Sequence, residues 1–325
     1  MGNILDIIIP EYNCPEEHIK RLLNSINIQK NIDFKEIGII IVNDSSKKKL
    51  RKGLFKNYPK LNIKYYVKDK NEGQGLARQY GLDNSTAKYV TFIDQDDIFN
   101  IYDRTALAKT IDCLKNNDYN VLVTNFIAER LVDGQLEYKV LKFHSSHLKG
   151  KYIKREAFEK FDVKFHPMLR QYEDSFVLTT LLLQTGYMYL DVTTQVWKYN
   201  KNSQTNNAKV NFKTEYFEYF YIYVNDAYDF LLLKKVKEAD AFFMHGLYGL
   251  FLTLEMSELN DCEKEKREKM LYELYSKNKS KFDSFSRLEH LQFLSDEYKT
   301  IYNETPNSII EQYFEKFVDM MSKAA

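Results

Sequence analysis

The sequence predicts an α/β domain with a mostly parallel central sheet, followed by an all-helical C-terminal region. Three observations carry that expectation. Unbroken apolar runs alternate with helix-periodic segments through about residue 126. Several of those runs end abruptly in polar residues. Beyond about residue 210 the texture turns helical and rich in Tyr, Phe and Leu, with one proline, Pro306.

The elements follow in order. ILDIII (4–9) is a β-branched run stopped by Pro10, and residues 15–30 place Ile19, Leu22, Leu23 and Ile26 at helical spacing. IGIIIV (37–42) is a second buried strand that ends in Asn43-Asp44-Ser45-Ser46. A short helix precedes NIKYYV (62–67), a helix covers 73–86, and KYVTFI (88–93) is a fourth strand. A helix over 102–116 and a strand over 120–126 complete the alternation. Strands this apolar are buried on both faces, which is the habit of parallel sheets covered by helices. The pattern then changes: Asp133-Gly134 is a turn signal joining 126–132 to 135–143 as a hairpin. The polar loop KNSQTNNAK separates a domain of residues 1–208 from a helical one of residues 209–325.

Composition narrows the class. Basic and acidic residues number 47 and 46, so bulk electrostatics predicts no nucleic-acid partner. Cys14, Cys113 and Cys262 are an odd count without a CxxC pair, which fits free thiols in a reducing compartment. The first residues lack a basic segment and a cleavage pattern, and Gly2 is not followed by the residues of a myristoylation signal. No apolar stretch reaches membrane-spanning length. The expectation is a soluble, cytoplasmic protein.

The polar clusters lie at the carboxyl ends of the predicted strands: Pro10-Glu11-Tyr12-Asn13, Asn43-Asp44, and Asp94-Gln95-Asp96-Asp97. Ligands of open parallel sheets bind there, and a nucleotide is the usual occupant. No GxGxxG or GxxxxGK[ST] motif follows a strand, so the glycine-loop modes of phosphate binding do not apply. Carboxylates can hold a diphosphate only through a divalent cation such as Mg²⁺ or Mn²⁺. By strand periodicity Asp94 and Asp96 share a side and could face one ion or one ribose. The ordinary alternative is a solvated turn with Asp97 as a helix cap.

From about residue 4 to 205 the chain resembles a family 2 glycosyltransferase with the nucleotide-sugar-binding GT-A fold. The matching stretches are IIIPEYN (7–13), IGIIIVNDSS (37–46), NEGQGLARQYG (71–81), KYVTFIDQDD (88–97) and FHPMLRQYEDSFVLTTLL (165–182). The resemblance implies an inverting enzyme with a nucleotide-sugar donor, expected to be UDP-linked, and a divalent cation. It implies that Pro10, Glu11, Tyr12 and Asn13 wall the base pocket, with Tyr12 against the base. Asp44 would accept from the base, and Arg78 would bind the base edge or hold Asp44. Asp94 would contact the ribose and the metal, Asp96 would be the main metal ligand, and Gln95 would belong to the loop that selects the sugar. Asp174 would be the catalytic base, with Glu173 beside it. The family's first Asp in the second-strand turn is Asn43 here, and its glycine is Ser45.

Asp174 also has its own rationale. Inverting transfer needs one carboxylate to take the acceptor proton, and Glu173-Asp174 opens an apolar helix; an acidic first turn is equally what a helix dipole favours. Asn71, Gly73 and Gly75 form a turn that could approach the diphosphate or simply start a helix. His144, His147 and His166 read as structural. Residues 197–205 resemble a mobile loop that closes over the diphosphate, with Lys198, Lys201, Asn202 and Ser203 as candidates. The aromatic C-terminal helices read first as core, and otherwise as a homodimer interface, an acceptor site or a peripheral membrane contact. The acceptor hydroxyl would sit on a glycan, polymer, lipid-linked saccharide or protein. The alternative function is a non-catalytic binding or partner subunit on the same scaffold.

Overall fold

The computed structural model describes residues 3–143, 146–201, 215–302 and 307–323. The chain forms two compact units, residues 1–203 and 204–325.

The first unit opens with β1 (Leu5–Glu11), α1 (Glu16–Asn27), β2 (Ile37–Asn43), β3 (Asn62–Val67), α2 (Gln74–Asp83) and β4 (Tyr89–Phe92). It continues with β5 (Ile98–Phe99), α3 (Ala106–Asn116), β6 (Val121–Val132), β7 (Gln135–Leu141), β8 (Lys151–Lys154), α4 (Arg155–Lys160), α5 (Glu173–Thr185) and β9 (Met188–Trp197). The strands form one sheet in the order β3-β2-β1-β4-β8-β6-β9-β5, with β7 also beside β6. Burial follows the apolar runs: Ile7, Ile8 and Ile9 of β1 and Ile39, Ile40 and Ile41 of β2 are enclosed on both faces. The α1 stripe of Ile19, Leu22, Leu23 and Ile26 packs in the same core.

Three features depart from the sequence expectations. First, Pro10 does not stop β1, which pairs with β2 as far as Glu11 and Asn43. The Ile8 carbonyl accepts from the Ile93 N–H, so Pro10, two residues on, points the same way, towards β4. Pairing with β4 has ended at Phe92, so the missing proline N–H breaks no ladder bond. Secondly, the sheet is mixed rather than mostly parallel. The pairs β1–β2, β2–β3, β1–β4 and β6–β9 are parallel; β4–β8, β6–β8, β5–β9 and β6–β7 are antiparallel. The second half is built from the Asp133-Gly134 hairpin and short returns, which impose antiparallel neighbours. Thirdly, β4 ends before the acidic stretch. Residues 94–97 form a turn closed by the Asp97 N–H on the Asp94 carbonyl at 3.1 Å, so strand periodicity does not apply to them.

The second unit contains α6 (Glu215–Leu233), α7 (Ala239–Met256), α8 (Asp261–Lys277), α9 (Lys279–Phe282), α10 (Arg287–Tyr302) and α11 (Asn307–Lys323). Phe217, Tyr228, Phe243, Tyr248, Phe251 and Phe317 are fully buried, so much of the aromatic excess is spent on packing between helices. α6 and α7 approach closely: a Cβ on Gly246 would fall 2.6 Å from Val224, and one on Gly249 would fall 2.8 Å from Phe220. Among the described residues no helix is long and apolar enough to cross a membrane.

Candidate active site

The polar strand ends of β1, β2 and β4 meet the amino ends of α2 and α5. Their side chains form three connected layers.

The first layer ties the β1 and β2 ends together. The buried Glu11 carboxylate accepts from the Cys14 N–H at 3.1 Å, the Ser46 hydroxyl at 3.0 Å and the Asn43 amide. Asn43 also accepts from the Ser46 N–H at 2.9 Å. An amide suits this place because it must donate to one neighbour and accept from another. Ser45 takes the left-handed conformation (φ 62°), so the turn keeps a glycine-like shape without glycine. Asn13 joins this layer, accepting from the Lys47 N–H at 3.0 Å. Of the four residues expected to wall a base pocket, Pro10 and Glu11 are buried and Glu11 serves the loop. Tyr12 is 44% exposed, and its backbone is held by Gln95, whose Oε1 accepts from the Tyr12 N–H at 2.9 Å.

The second layer surrounds Asp44, which is buried. Its carboxylate accepts from Lys68 Nζ at 2.7 Å and from the N–H groups of Glu72 and Gly73, the latter at 2.7 Å. Three donors leave about one of a carboxylate's four acceptor positions. Asp44 thereby fixes the turn leading into α2, where Gly73 has φ 93°. Asn71 belongs to the same turn: it donates to the Asp44 carbonyl at 3.2 Å and accepts from Arg170 Nη1 at 2.8 Å. Arg170 lies against Gly73, where a Cβ would meet its guanidinium at 3.1 Å.

The third layer is a buried charge cluster. Arg78 does not hold Asp44; that cation is Lys68. Arg78 instead donates to Asp94 at 2.6 Å, Glu173 at 2.9 Å and Asp174 at 2.8 Å. Lys149 Nζ lies 2.6 Å from Asp94 and 3.0 Å from Asp97, with the Trp197 ring centroid at 5.1 Å. Burial alone would raise the Asp94 pKa, but Lys149 and Arg78 together hold it well below the usual carboxylate range. Asp97 goes the other way: burial, with the charges of Asp94 and Asp96, pushes it up to about 7 against the pull of Lys149. Glu173 is likewise raised to about 7 by burial and by Asp174, opposed by Arg78. Asp174 keeps partial access, its side chain 18% exposed, and accepts from the Leu148 N–H at 3.3 Å. Lys151, also buried, is pushed down to about 7 by burial and by Lys149.

The Glu173 shift has a stability consequence. Between its ordinary value of 4.5 and about 7, the folded chain holds a proton that the unfolded chain has released. Stability therefore falls as pH rises through that window, by up to about 1.4 kcal/mol per pH unit for one group. Glu173→Gln should remove that share of the slope and leave the share from Asp97. Urea unfolding at pH 5, 6 and 7 reads it directly. An unchanged slope would mean Glu173 is ionised throughout.

A divalent cation fits this donor set only in part. Both oxygens of Asp94, expected to be a ligand beside Asp96, are committed to Arg78 and Lys149. Among the described residues no group of three or more His, Cys, Asp or Glu side chains could hold an ion. Asp96 differs: it is half-buried, accepts from Asn200 Nδ2 at 2.8 Å, and has no ion-pair partner among the described residues. One such carboxylate with donor phosphates is an ordinary way to hold Mg²⁺. His147 packs on Trp197 and His166 on Phe176. Lys198 reaches Glu129, and its N–H donates to Asp97 at 2.9 Å. His144, Asn202 and Ser203 lie outside the described residues.

Lys149, Lys68 and Arg170 were absent from the sequence expectations. Lysines are ordinarily surface residues, and nothing in HLKGKYIK marks two of them as buried. The one local signal is Gly150, which has φ 70° and lies where a Cβ would fall 2.6 Å from the Thr124 carbonyl. That close approach turns the chain into β8 between the two lysines.

Comparison with known proteins places the chain in a family. The family model described as glycosyl transferase family 2 matches residues 6–169. The Staphylococcus epidermidis teichoic acid poly(glycerol phosphate) polymerase is 41% identical over 98 residues, 29% of this chain and 13% of the polymerase. The Bacillus subtilis minor teichoic acid biosynthesis protein GgaB is 33% identical over 126 residues, 38% of this chain and 14% of its own length. The chain thus spans less than a fifth of the length of either relative. The crystal structure of S. aureus TarS 1-349 in complex with UDP-GlcNAc superposes with TM-score 0.55 at 17% identity, covering 98% of this chain and 90% of that one. That likeness shows the GT-A fold. With the family model covering half its residues, the chain belongs to glycosyl transferase family 2.

Proposed function

We propose that the chain transfers a sugar from a UDP-linked donor to an acceptor hydroxyl with inversion, using Asp174 as the base. The observation that carries this reading is the Arg78 clamp, which joins Asp94 of the donor-side turn to Asp174 at the mouth of α5. Donor seating and base placement are therefore fixed by one guanidinium. Tyr12, exposed and backbone-anchored by Gln95, supplies a face for the base, and Asp44 with Asn71 and Gly73 shapes the turn beside it. Arg170 offers an exposed guanidinium for the diphosphate. The UDP-GlcNAc complex of TarS supports a uridine donor. The two teichoic acid relatives support a polymer or other glycan chain as acceptor.

In the transfer, the acceptor oxygen attacks the anomeric carbon from the side opposite the diphosphate. Its proton passes to Asp174 as the new C–O bond forms and the sugar–phosphate bond breaks. A divalent cation, when bound, would be held by Asp96 together with donor phosphates and would neutralise the leaving diphosphate. Arg78 keeps Asp174 oriented, and Lys149 balances the Asp94–Asp97 charge beneath the donor.

Titration calorimetry with UDP and GDP, each with Mn²⁺ and with EDTA, tests the reading. UDP should bind more tightly than GDP, and EDTA should weaken it. A folded protein that binds neither would overturn the proposal and favour a non-catalytic scaffold.

A further inference from the structure

We propose that β7 is a self-complementary sheet edge through which two copies of this chain pair, antiparallel, about a two-fold axis centred on Tyr138. Among the described residues β7 has one strand neighbour, β6, in the register Val132–Gln135 to Phe126–Leu141. Residues 135–140 are all exposed. Leu136, Tyr138 and Val140 are 47%, 54% and 52% exposed on one face, and Leu131, opposite Leu136, is 47% exposed beside them. Sheet edges are usually kept short, bulged or interrupted by proline. This one runs seven residues, QLEYKVL, without proline or glycine.

The occupant follows from the sequence of the edge itself. An axis perpendicular to the sheet at Tyr138 sets Leu136 against the partner's Val140 and Glu137 against the partner's Lys139, twice over by symmetry. Apolar residues then meet on one face and opposite charges on the other. Moving the axis by one residue is penalised. Centred on Glu137 it opposes two glutamates, and centred on Lys139 it opposes two lysines. Axes further out leave most of the strand unpaired. Only the Tyr138 register uses all seven residues and matches every charge, which is how a strand specifies one pairing. The paired length, about 24 Å at 3.4 Å per residue, is modest beside the interfaces of permanent dimers. The association is therefore reversible and concentration-dependent. It is independent of the transfer reading, because no residue of the charge cluster lies on β7.

Sedimentation velocity of the full chain over a wide concentration range tests it. The unaltered chain should pass from monomer to dimer. Glu137→Lys alone and Lys139→Glu alone should each weaken the dimer at least about tenfold, since each replaces two attractive pairs by two repulsive ones. The double variant should restore it. Lys139→Glu, opposite Ala128 on β6, should leave circular dichroism and the thermal midpoint unchanged, whereas Glu137→Lys faces Arg130 and should lower the midpoint slightly, equally alone and in the double variant. A monomer at every concentration overturns the proposal. So does a dimer indifferent to the single changes, which would place the contact elsewhere, as on the helical unit. Failure of the double variant to restore pairing overturns the Tyr138 register.

Discussion

Asp174→Asn should leave UDP binding within about threefold of the unaltered enzyme while transfer falls by two to four orders of magnitude, the usual contribution of a positioned base. The substitution is isosteric. The amide oxygen can still accept from Arg78, and what the second oxygen loses is the long 3.3 Å bond from the Leu148 N–H, so the mouth of α5 keeps its main anchor. What is lost is the ability to take a proton. Calorimetry with UDP and a product assay on the same preparation separate the two effects. Normal turnover in the variant would remove Asp174 from the mechanism. Loss of binding together with turnover would make it a residue of structure. A second readout is built in: Asp174 is one reason the Glu173 pKa stands high. Its neutralisation should draw Glu173 back towards the ordinary carboxylate range and move the pH window of stability down with it.

Much of this was legible in the sequence, and the reasons differ by element. β1, β2 and β4 read correctly because Ile7, Ile8 and Ile9, Ile39, Ile40 and Ile41, and Tyr89, Val90 and Phe92 are all buried, and an apolar run states that without context. α1 and α5 read correctly because their apolar stripes have helical spacing. β8 and β9 did not. Lys151-Tyr-Ile-Lys154 begins and ends in lysine, and β9 alternates exposed and half-buried residues over its first half. Neither resembles a core strand until β6 supplies a partner. In the site, motifs named the positions of Asp44, Arg78, Asp94 and Asp174, but not their neighbours. Whether Arg78 reaches Asp44 or Asp174 depends on where α5 packs on α2, a contact between residues nearly one hundred positions apart. Lys149 is the sharpest case. Its burial follows from Gly150, Trp197 and two carboxylates brought together by three separate segments. No local pattern encodes that.

Arg78→Met carries the largest expected effect on stability. Arg78 is buried and shared among Asp94, Glu173 and Asp174, so its removal strands the buried Glu173 beside a carboxylate, Asp174, that water reaches only in part. Breaking a buried pair in this way costs about 3–5 kcal/mol, because the partner charge remains without compensation. Lys149 still neutralises one oxygen of Asp94, so most of the cost falls on Glu173 and Asp174. The pH dependence follows in sign. With Arg78 gone, the guanidinium charge that lowers the Glu173 pKa disappears and the folded-state value moves further above 4.5. A carboxyl raised in the folded state stabilises while protonated and loses that contribution as pH rises through the folded value. The deficit should therefore be larger at pH 8 than at pH 5, where Glu173 carries its proton. Urea unfolding at the two pH values measures both the size and the sign. Arg78→Lys should recover only part of the loss, since one ammonium cannot reproduce the planar fork that reaches three carboxylates. If Arg78→Met unfolded at the same urea concentration as the unaltered chain at pH 8, the carboxylates would have to be protonated or hydrated in the native state. The role proposed for the Arg78 clamp between the Asp94 turn and Asp174 would then have to be abandoned.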